Sequence, residues 1–386
     1  MWKRLVLPLL LLLSAGPVLA QETTPEAPAG LPQRVVLGGL VVYLPEGWSA
    51  IPGQGGETVI ANIDLYTLDP NTAFPPETVL LQVSVYSTAQ LPPSPDGITS
   101  SRQILESIPA EGEQPPVTEI EEGSVTIARI EGGNSQSGGD SVAYALLLDE
   151  QTFVFGIGAS LNTGTLATYE PELYRVLAAL EVDLSVPLAA DTLTRYNDIP
   201  QSRSAEGFPR LGNPDAPVVI TEISSFACGA CRTFHDLALP VLLEYIRSGE
   251  VLFIYQPFVG TGNLPNNERA TRAALCAAEQ DAFWQFSDGL FAWHDFGGVA
   301  FLDARLTAGA AALSLDMTAF AECLASDRTN AIIEAAVMGA NRIADFVGTP
   351  TVLLNGSSIE WDPAGLTALI EAALTAEATP EATAAP

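Results

Sequence analysis

The tetrapeptide Cys228-Gly229-Ala230-Cys231 constrains this chain more than any other feature. It closes the apolar run Val218-Val219-Ile220-Thr221-Glu222-Ile223 and opens what reads as a helix through Leu239. A cysteine at a helix start meets free backbone N–H groups and the positive end of the macrodipole, which together stabilise a thiolate. A second cysteine one turn on lies on the same face, close enough to attack a mixed disulfide formed at the first. Cys228 is therefore expected as the nucleophile and Cys231 as the buried resolving thiol. The competing reading is half of a zinc site. Structural zinc takes four ligands, the other cysteines (Cys276 and Cys323) are isolated, and His235 and His294 would have to help. The expectation is a redox pair, with no metal and no cofactor.

The compartment suits that chemistry. Met1-Trp2-Lys3-Arg4 is a short basic region, Leu5 to Leu13 is unbroken and apolar, and Ser14 to Ala20 is a small-residue exit. This pattern predicts a secretory signal peptide over 1–20, cleaved near Ala20, with a core too short to span a bilayer comfortably. An uncleaved anchor is the alternative. The product is expected outside the cytoplasm (periplasm, cell envelope or secreted), where disulfides persist.

The chain carries 16 Lys+Arg against 46 Asp+Glu, a net charge of −30. Lys3 is its only lysine, so beyond residue 20 there are 14 arginines and 14 − 46 = −32. Such a balance argues against nucleic acid and anionic membranes as partners.

At 386 residues there is room for two domains. Residues 21–33 read as a disordered Thr/Pro/Glu/Ala-rich spacer and 375–386 as a disordered low-complexity tail. Between them, 34–185 is strand-rich without cysteine, 186–210 reads as a linker, and 211–374 is helix-rich with all four cysteines. In the first block Val35 to Tyr43 reads as one strand, Ser101 to Ile108 as a helix, and Pro171 to Leu180 as a closing helix. The Leu-Pro-Glu-Gly-Trp turn after the first strand, and Leu-Glu-Val after the closing helix, resemble the PsbP-like α+β fold of exported proteins. This block has no histidine and no evident nucleophile–base pair, so an interaction or spacer role is expected.

The second block carries a sharper likeness. Leu211-Gly212-Asn213-Pro214-Asp215-Ala216-Pro217 leads into the strand before Cys-x-x-Cys. Then come Ala273-Ala274-Leu275-Cys276-Ala277-Ala278-Glu279-Gln280 with Phe283-Trp284, Phe320-Ala321-Glu322-Cys323-Leu324, Val347-Gly348-Thr349-Pro350-Thr351 and Leu354-Asn355-Gly356. In this order they resemble the DsbA-like branch of thiol–disulfide oxidoreductases. The likeness implies an α/β class overall: a thioredoxin fold with an inserted helical domain, preceded by a separate α+β domain. Helical periodicity over Arg269 to Phe291, in one helix or a broken pair, agrees.

The resemblance also assigns roles. Glu222 aligns with an acidic residue beneath the cysteine pair, where burial would raise its pKa and let it relay the Cys231 proton. A strand-edge glutamate facing water is the alternative. Pro350 aligns with a cis-proline facing the cysteines, leaving the backbone of Thr349 to pair with an extended substrate segment; an ordinary turn proline is the alternative. The Gly-Ala dipeptide lacks the histidine of strongly oxidising relatives, so a less depressed Cys228 pKa is expected. Cys276 and Cys323 are expected to pair, since an even cysteine count in an exported chain pairs off. Closing that loop of about 48 residues is worth roughly 4 kcal/mol. Two buried free thiols are the other reading. His235 and His294 read as packing or surface residues.

The leading functional reading is an exported oxidoreductase exchanging disulfides with unfolded or reduced exported proteins, recharged by a membrane redox partner. A reductase or isomerase on the same centre, and a non-enzymatic binding protein with a static disulfide, are the alternatives.

Overall fold

A computed structural model describes residues 27–377 except positions 38, 54–56, 69–72, 93, 95–96, 109–114, 133–138, 151 and 345. The expected signal peptide lies outside the described residues. No helix among them is long and apolar enough to cross a membrane.

The N-terminal domain is mainly β. Its elements are β1 (Gln33–Leu37), β2 (Leu40–Leu44), β3 (Ser49–Pro52), β4 (Thr58–Ala61), β5 (Val79–Ser87), α1 (Ser101–Ser107), β6 (Thr118–Glu122), β7 (Val125–Glu131), β8 (Ser141–Leu147), β9 (Thr152–Ser160), α2 (Thr165–Ala178) and β10 (Glu181–Val182). Seven strands form an antiparallel sheet in the order β3-β4-β5-β9-β8-β7-β6, and β1-β2-β10 form a small second one. Alternation in β5 sends Val79, Leu81, Val83 and Val85 into a core with Leu166, Leu173, Val176 and Leu177 of α2. Tyr86 stacks on Phe153 on the opposite face, under α1.

The C-terminal domain runs β11 (Gln201–Arg203), β12 (Pro209–Leu211), β13 (Val218–Ser224), α3 (Gly229–Leu237), α4 (Leu239–Arg247), β14 (Val251–Pro257), α5 (Asn267–Ala278), α6 (Phe283–Ala292), α7 (Asp303–Ala312), α8 (Met317–Leu324), α9 (Asn330–Ala340), β15 (Thr351–Leu354), β16 (Ser357–Ile359) and α10 (Pro363–Glu377), with a 3-10 segment at Trp293–Val299. The sheet order is β11-β12-β14-β13-β15-β16. The β13–β14 pair is parallel and β13–β15 antiparallel. A parallel β–α–β unit followed by an antiparallel hairpin and a closing helix, with α5 to α9 inserted between, is a thioredoxin fold carrying a helical domain. The insertion begins as the expected broken pair: α5 ends near Glu279, and Asp281 takes φ +57° before α6.

Several boundaries differ from the sequence reading. The segment 186–210 is not a free linker. Tyr196 is fully buried in the redox-domain core, and β11 and β12 extend its sheet. The spacer ends early, because Leu31 is buried and β1 already starts at Gln33. Val35 to Tyr43 is a hairpin, not one strand, since Gly39 (φ +80°) turns the chain between β1 and β2. α2 begins at Thr165 and carries Pro171 inside it. An interior proline costs about 3 kcal/mol, which burial of Leu166, Leu173, Val176 and Leu177 offsets. α10 continues to Glu377, past the expected start of the tail.

Candidate active site

The site is built where β13 meets α3. β13 lies between β14 and β15, so both of its edges are paired and its side chains sit in the core. The turn Ser225-Phe226-Ala227 then delivers Cys228 to the N-cap of α3. Phe226 anchors that turn: it is fully buried, with Tyr255 and Phe291 rings 5.1 and 5.2 Å away. Its burial is worth about 2–3 kcal/mol.

Cys228 and Cys231 are both thiols, the first 8% exposed and the second wholly buried. Cys228 Sγ donates to the Thr349 carbonyl at 3.3 Å, and the Thr349–Pro350 peptide is cis. The Ser225 N–H donates to Cys231 Sγ at 3.5 Å. The two sulfurs have opposite electrostatics. A hydrogen bond from Cys231 pulls the Cys228 pKa down to about 5 against the burial penalty, helped by Thr349 and the Cys231 and Ala230 backbone N–H groups. Burial pushes the Cys231 thiol up, and its bond to Cys228 and the nearby Glu222 push the same way. The depression at Cys228 thus needs no histidine between the cysteines. Helix-start donors and the partner thiol carry it.

Glu222 is 3% exposed and faces Tyr255 across β14 and Val352 across β15. Burial raises its pKa to about 8, although Ser224 Oγ donates to Oε1 at 2.6 Å and opposes the rise. The Tyr255 hydroxyl beside it is buried without a hydrogen-bond partner. A carboxyl that is neutral at neutral pH, two residues before the end of β13, is suited to holding one proton.

A polar chain that the sequence reading missed links the two active loops. Ser225 Oγ donates to the Thr261 carbonyl at 2.8 Å, Asn267 Nδ2 donates to Ser225 Oγ at 3.0 Å, and the Thr261 and Thr349 hydroxyls lie 2.6 Å apart. Asn267 is buried at the first turn of α5, so the inserted domain reaches the cysteine turn. These are ordinary Ser, Thr and Asn residues far apart in sequence, and nothing local marks them.

Both histidines also belong to this neighbourhood. His294 Nε2 bonds the Phe226 carbonyl. His235, one turn after Cys231, bonds Asp288 Oδ1 at 2.8 Å, where the Tyr196 hydroxyl also donates at 2.7 Å and Arg195 meets Oδ2 at 3.0 Å. Burial opposes the charge on His235, but hydrogen bonds to Asp236 and Asp288 outweigh it and raise its pKa to about 9. The i+4 spacing on α3 is the one sequence signal that could have placed His235 on the buried face.

Cys276 is bonded to Cys323 (S–S 2.00 Å, Cα–Cα 5.7 Å), joining α5 to α8. With that pair bonded and both histidines committed to Asp288 and Phe226, the residues named for a zinc site are not brought together. Among the described residues, no group of three or more His, Cys, Asp or Glu is placed to hold a metal ion. The constellation of Cys228, Cys231, Glu222, Thr349 and cis-Pro350 is suited to two-electron exchange between a dithiol and a disulfide.

Residues 204–372, which contain all of these side chains, match the family model described as Thioredoxin. The chain is 33% identical over 145 residues, 38% of its length and 21% of the relative's, to "Na(+)/H(+) antiporter NhaA 3" of Salinispora tropica. It is 40% identical over 84 residues, 21% of its length and 38% of the relative's, to "Probable disulfide bond formation protein D" of Bacillus anthracis. A solved structure of oxidised BdbD from Bacillus subtilis is 23% identical, covering 45% of this chain and 96% of that one, with a TM-score of 0.37. The chain thus spans well under two thirds of these two curated relatives. Its C-terminal half has a thioredoxin fold and is similar over part of its length to a disulfide bond formation protein, and it is preceded by a mainly-β domain.

Proposed function

We propose that the chain is an exported enzyme that exchanges disulfides with unfolded or reduced exported proteins through Cys228. The observation that carries this reading is the placement of Cys228 at the start of α3, facing the Thr349 carbonyl with Cys231 buried behind it. In the oxidised enzyme a substrate thiolate attacks Cys228 Sγ, the Cys228–Cys231 bond breaks, and the electron pair leaves on Cys231. The Glu222 carboxyl supplies the proton that Cys231 takes up. A second substrate thiolate then attacks the substrate sulfur of the mixed disulfide, and Cys228 departs as a stabilised thiolate. Two electrons pass from substrate to enzyme, and a membrane redox partner would remove them.

A depressed Cys228 pKa stabilises the reduced enzyme and makes Cys228 a good leaving group, so it favours the oxidase direction over the reductase or isomerase direction. A static disulfide would have no use for a split between two thiols of this size. The location outside the cytoplasm rests on the N-terminal 20 residues. For the N-terminal domain, roughly 34–185, we keep the PsbP-like interaction role, supported by an antiparallel sheet backed by α2 and by the absence of a histidine.

The deciding experiment measures the reduction potential of the Cys228/Cys231 couple and turnover on a reduced unfolded protein. A potential near the oxidising end, with multiple turnovers, supports the reading. A potential below about −300 mV without turnover is that of a structural disulfide and overturns it.

A further inference from the structure

The N-terminal domain is fixed to the redox domain beside the thiols. Val299, the last residue of the 3-10 segment after α6, and Leu302 just beyond it are buried in the N-terminal core. Arg305 on α7 is fully buried, donates to the carbonyls of Val299, Ser185 and Asp183, and lies 3.6 Å over the Phe296 ring. The backbone at Gly298 presses on the end of β5, where an added Cβ would come 2.4 Å from the Val85 carbonyl oxygen. Shared core and a buried guanidinium make this a rigid junction.

Next to that junction lies a cleft of about 460 Å³ with one wall from each domain, within the roughly 300–1,000 Å³ usual for ligand sites. Ser84, Tyr86 and Gln90 form the N-terminal wall, and Arg232, Asn263 and His294 stand on the other. The second wall reaches the nucleophile. Arg232 directly follows Cys231 on α3, and His294 holds the Phe226 carbonyl. Gly262 (φ +94°) packs so closely on Ala227 that an added Cβ would sit 2.3 Å from its carbonyl carbon, and Ala227 precedes Cys228. Thr261, the residue before, touches Thr349. The cleft therefore starts beside the cysteine turn and runs to β5.

We propose that this interdomain cleft is a binding site for substrate polypeptide, holding in extended form the residues that flank the cysteine joined to Cys228. The inference rests on the exchange reading above and adds a site that the redox domain alone does not possess. The chemistry of the walls selects the ligand. Gly262, Gly297 and Gly298 bare the backbone along one side, and the amides of Gln90 and Asn263 can donate and accept, as a peptide backbone requires. The guanidinium of Arg232 is already held by Asp295 at 2.7 and 3.2 Å, so the cleft is not built around a free cation. At about 3.3–3.6 Å per extended residue, a few residues bridge from the thiol into such a space.

Ser84→Trp, made in the full chain, fills the cleft from the N-terminal wall, away from the thiols. The readout is the ratio of two second-order rates on the oxidised protein, one with a reduced cysteine peptide of about twelve residues and one with glutathione. The ratio is expected to fall about tenfold relative to wild type, with the reduction potential unmoved. An unchanged ratio overturns the cleft while leaving the exchange reading intact. Wild-type protein that exchanges with neither thiol overturns the exchange reading, and the cleft with it. If Ser84→Trp does not fold, the Cys231→Ser protein, its Cys228 first activated as a mixed disulfide with thionitrobenzoate, is trapped with the same reduced peptide carrying a photo-reactive residue two to four positions from its cysteine, thionitrobenzoate leaving as the thiolate. Cross-links within Ser84 to Gln90 support the site, and cross-links confined to the redox domain overturn it.

Discussion

Cys228 Sγ lies 3.3 Å from the carbonyl oxygen of Thr349, so the helix-start thiol and the loop before Pro350 form one surface although they are 121 residues apart. Whatever forms a bond to Cys228 must pass that loop. Cys231, wholly buried behind it, is approached only through Cys228. This geometry separates attack from resolution.

The separation sets the first prediction. Cys228→Ser abolishes turnover, and Cys231→Ser leaves one attack possible without release, so mixed disulfides with substrate proteins accumulate. Non-reducing gels of each variant incubated with a disulfide-bonded exported protein, whose disulfide Cys228 attacks with loss of one substrate thiolate, make the comparison. Full multi-turnover activity in Cys231→Ser would show that the roles are assigned wrongly.

The pH dependence of Cys228 follows from its depressed pKa of about 5. A depressed group adds stability above its unfolded pKa, about 9, and that stability is lost as pH falls through about 5. The reduced protein should therefore lose stability relative to the oxidised protein as pH drops from about 9 towards 5. Ultraviolet thiolate absorbance should titrate near 5. Cys231→Ala removes the largest stabilising hydrogen bond and should move that titration upward. A midpoint unchanged in Cys231→Ala would mean that the helix N-terminus and Thr349 alone set the value. Ala230 is exposed on the first turn of α3, so Ala230→His is expected to lower the value further by a lesser amount.

The part-buried pair His235–Asp288 makes a separate stability claim. A His pKa raised from 6.5 to about 9 contributes stability that is fully present below about 6.5 and is lost as pH rises through about 9. Linkage puts that contribution at about 3 kcal/mol. Asp288→Asn should flatten this loss. It should also loosen the 191–196 segment, because Arg195 and Tyr196 bond the same carboxylate. Thermal unfolding across pH 6 to 10 checks the slope. Equal slopes in variant and wild type would mean that Asp236 rather than Asp288 holds the charge on His235.

Local and long-range signals explain what could be read from the chain alone. The cysteine turn, the breaks around Asp281 and the Asn355-Gly356 hairpin all rest on residues adjacent in sequence, and each sits where the pattern puts it. Ser225, Thr261 and Asn267 meet only after β13, β14 and α5 are assembled, so no window of sequence reports them. Tyr196 looked like linker because its partner Asp288 is 92 residues away. Pro171 misled for a different reason: proline favours a first helical turn, whereas here buried leucines on both sides carry the helix through it.

The disulfide between Cys276 and Cys323 is predicted to resist mild reductant that opens Cys228–Cys231. Both of its cysteines are 1% exposed between α5 and α8, whereas Cys228 is 8% exposed at a helix start. Differential alkylation with mass spectrometry at low dithiothreitol concentration reads each pair. Equal labelling of all four cysteines would defeat the assignment. Replacing both Cys276 and Cys323 by Ala should cost about 2–5 kcal/mol without changing the potential of the first pair.

Glu222 supplies the last and most specific test. Its carboxyl is raised from 4.5 to about 8 by burial, so the fold favours the protonated form. The associated stability is fully present below about 4.5 and is lost as pH rises through about 8, by up to about 5 kcal/mol. Glu222→Gln keeps an oxygen for the Ser224 hydroxyl and removes the titration, so the variant should match wild type near pH 4 and exceed it in stability above pH 8. Kinetically, Gln cannot exchange a proton with Cys231. Attack of Cys231 on the mixed disulfide should slow about tenfold or more, while attack by Cys228, whose thiol faces Thr349 and solvent, stays within about twofold. Stopped-flow measurements on a model disulfide peptide resolve the two steps. Equal slowing of both, with a loss of stability at every pH, would make Glu222 a structural carboxylate held by Ser224. Wild-type kinetics together with the predicted stability gain would mean that the Cys231 proton leaves by another route.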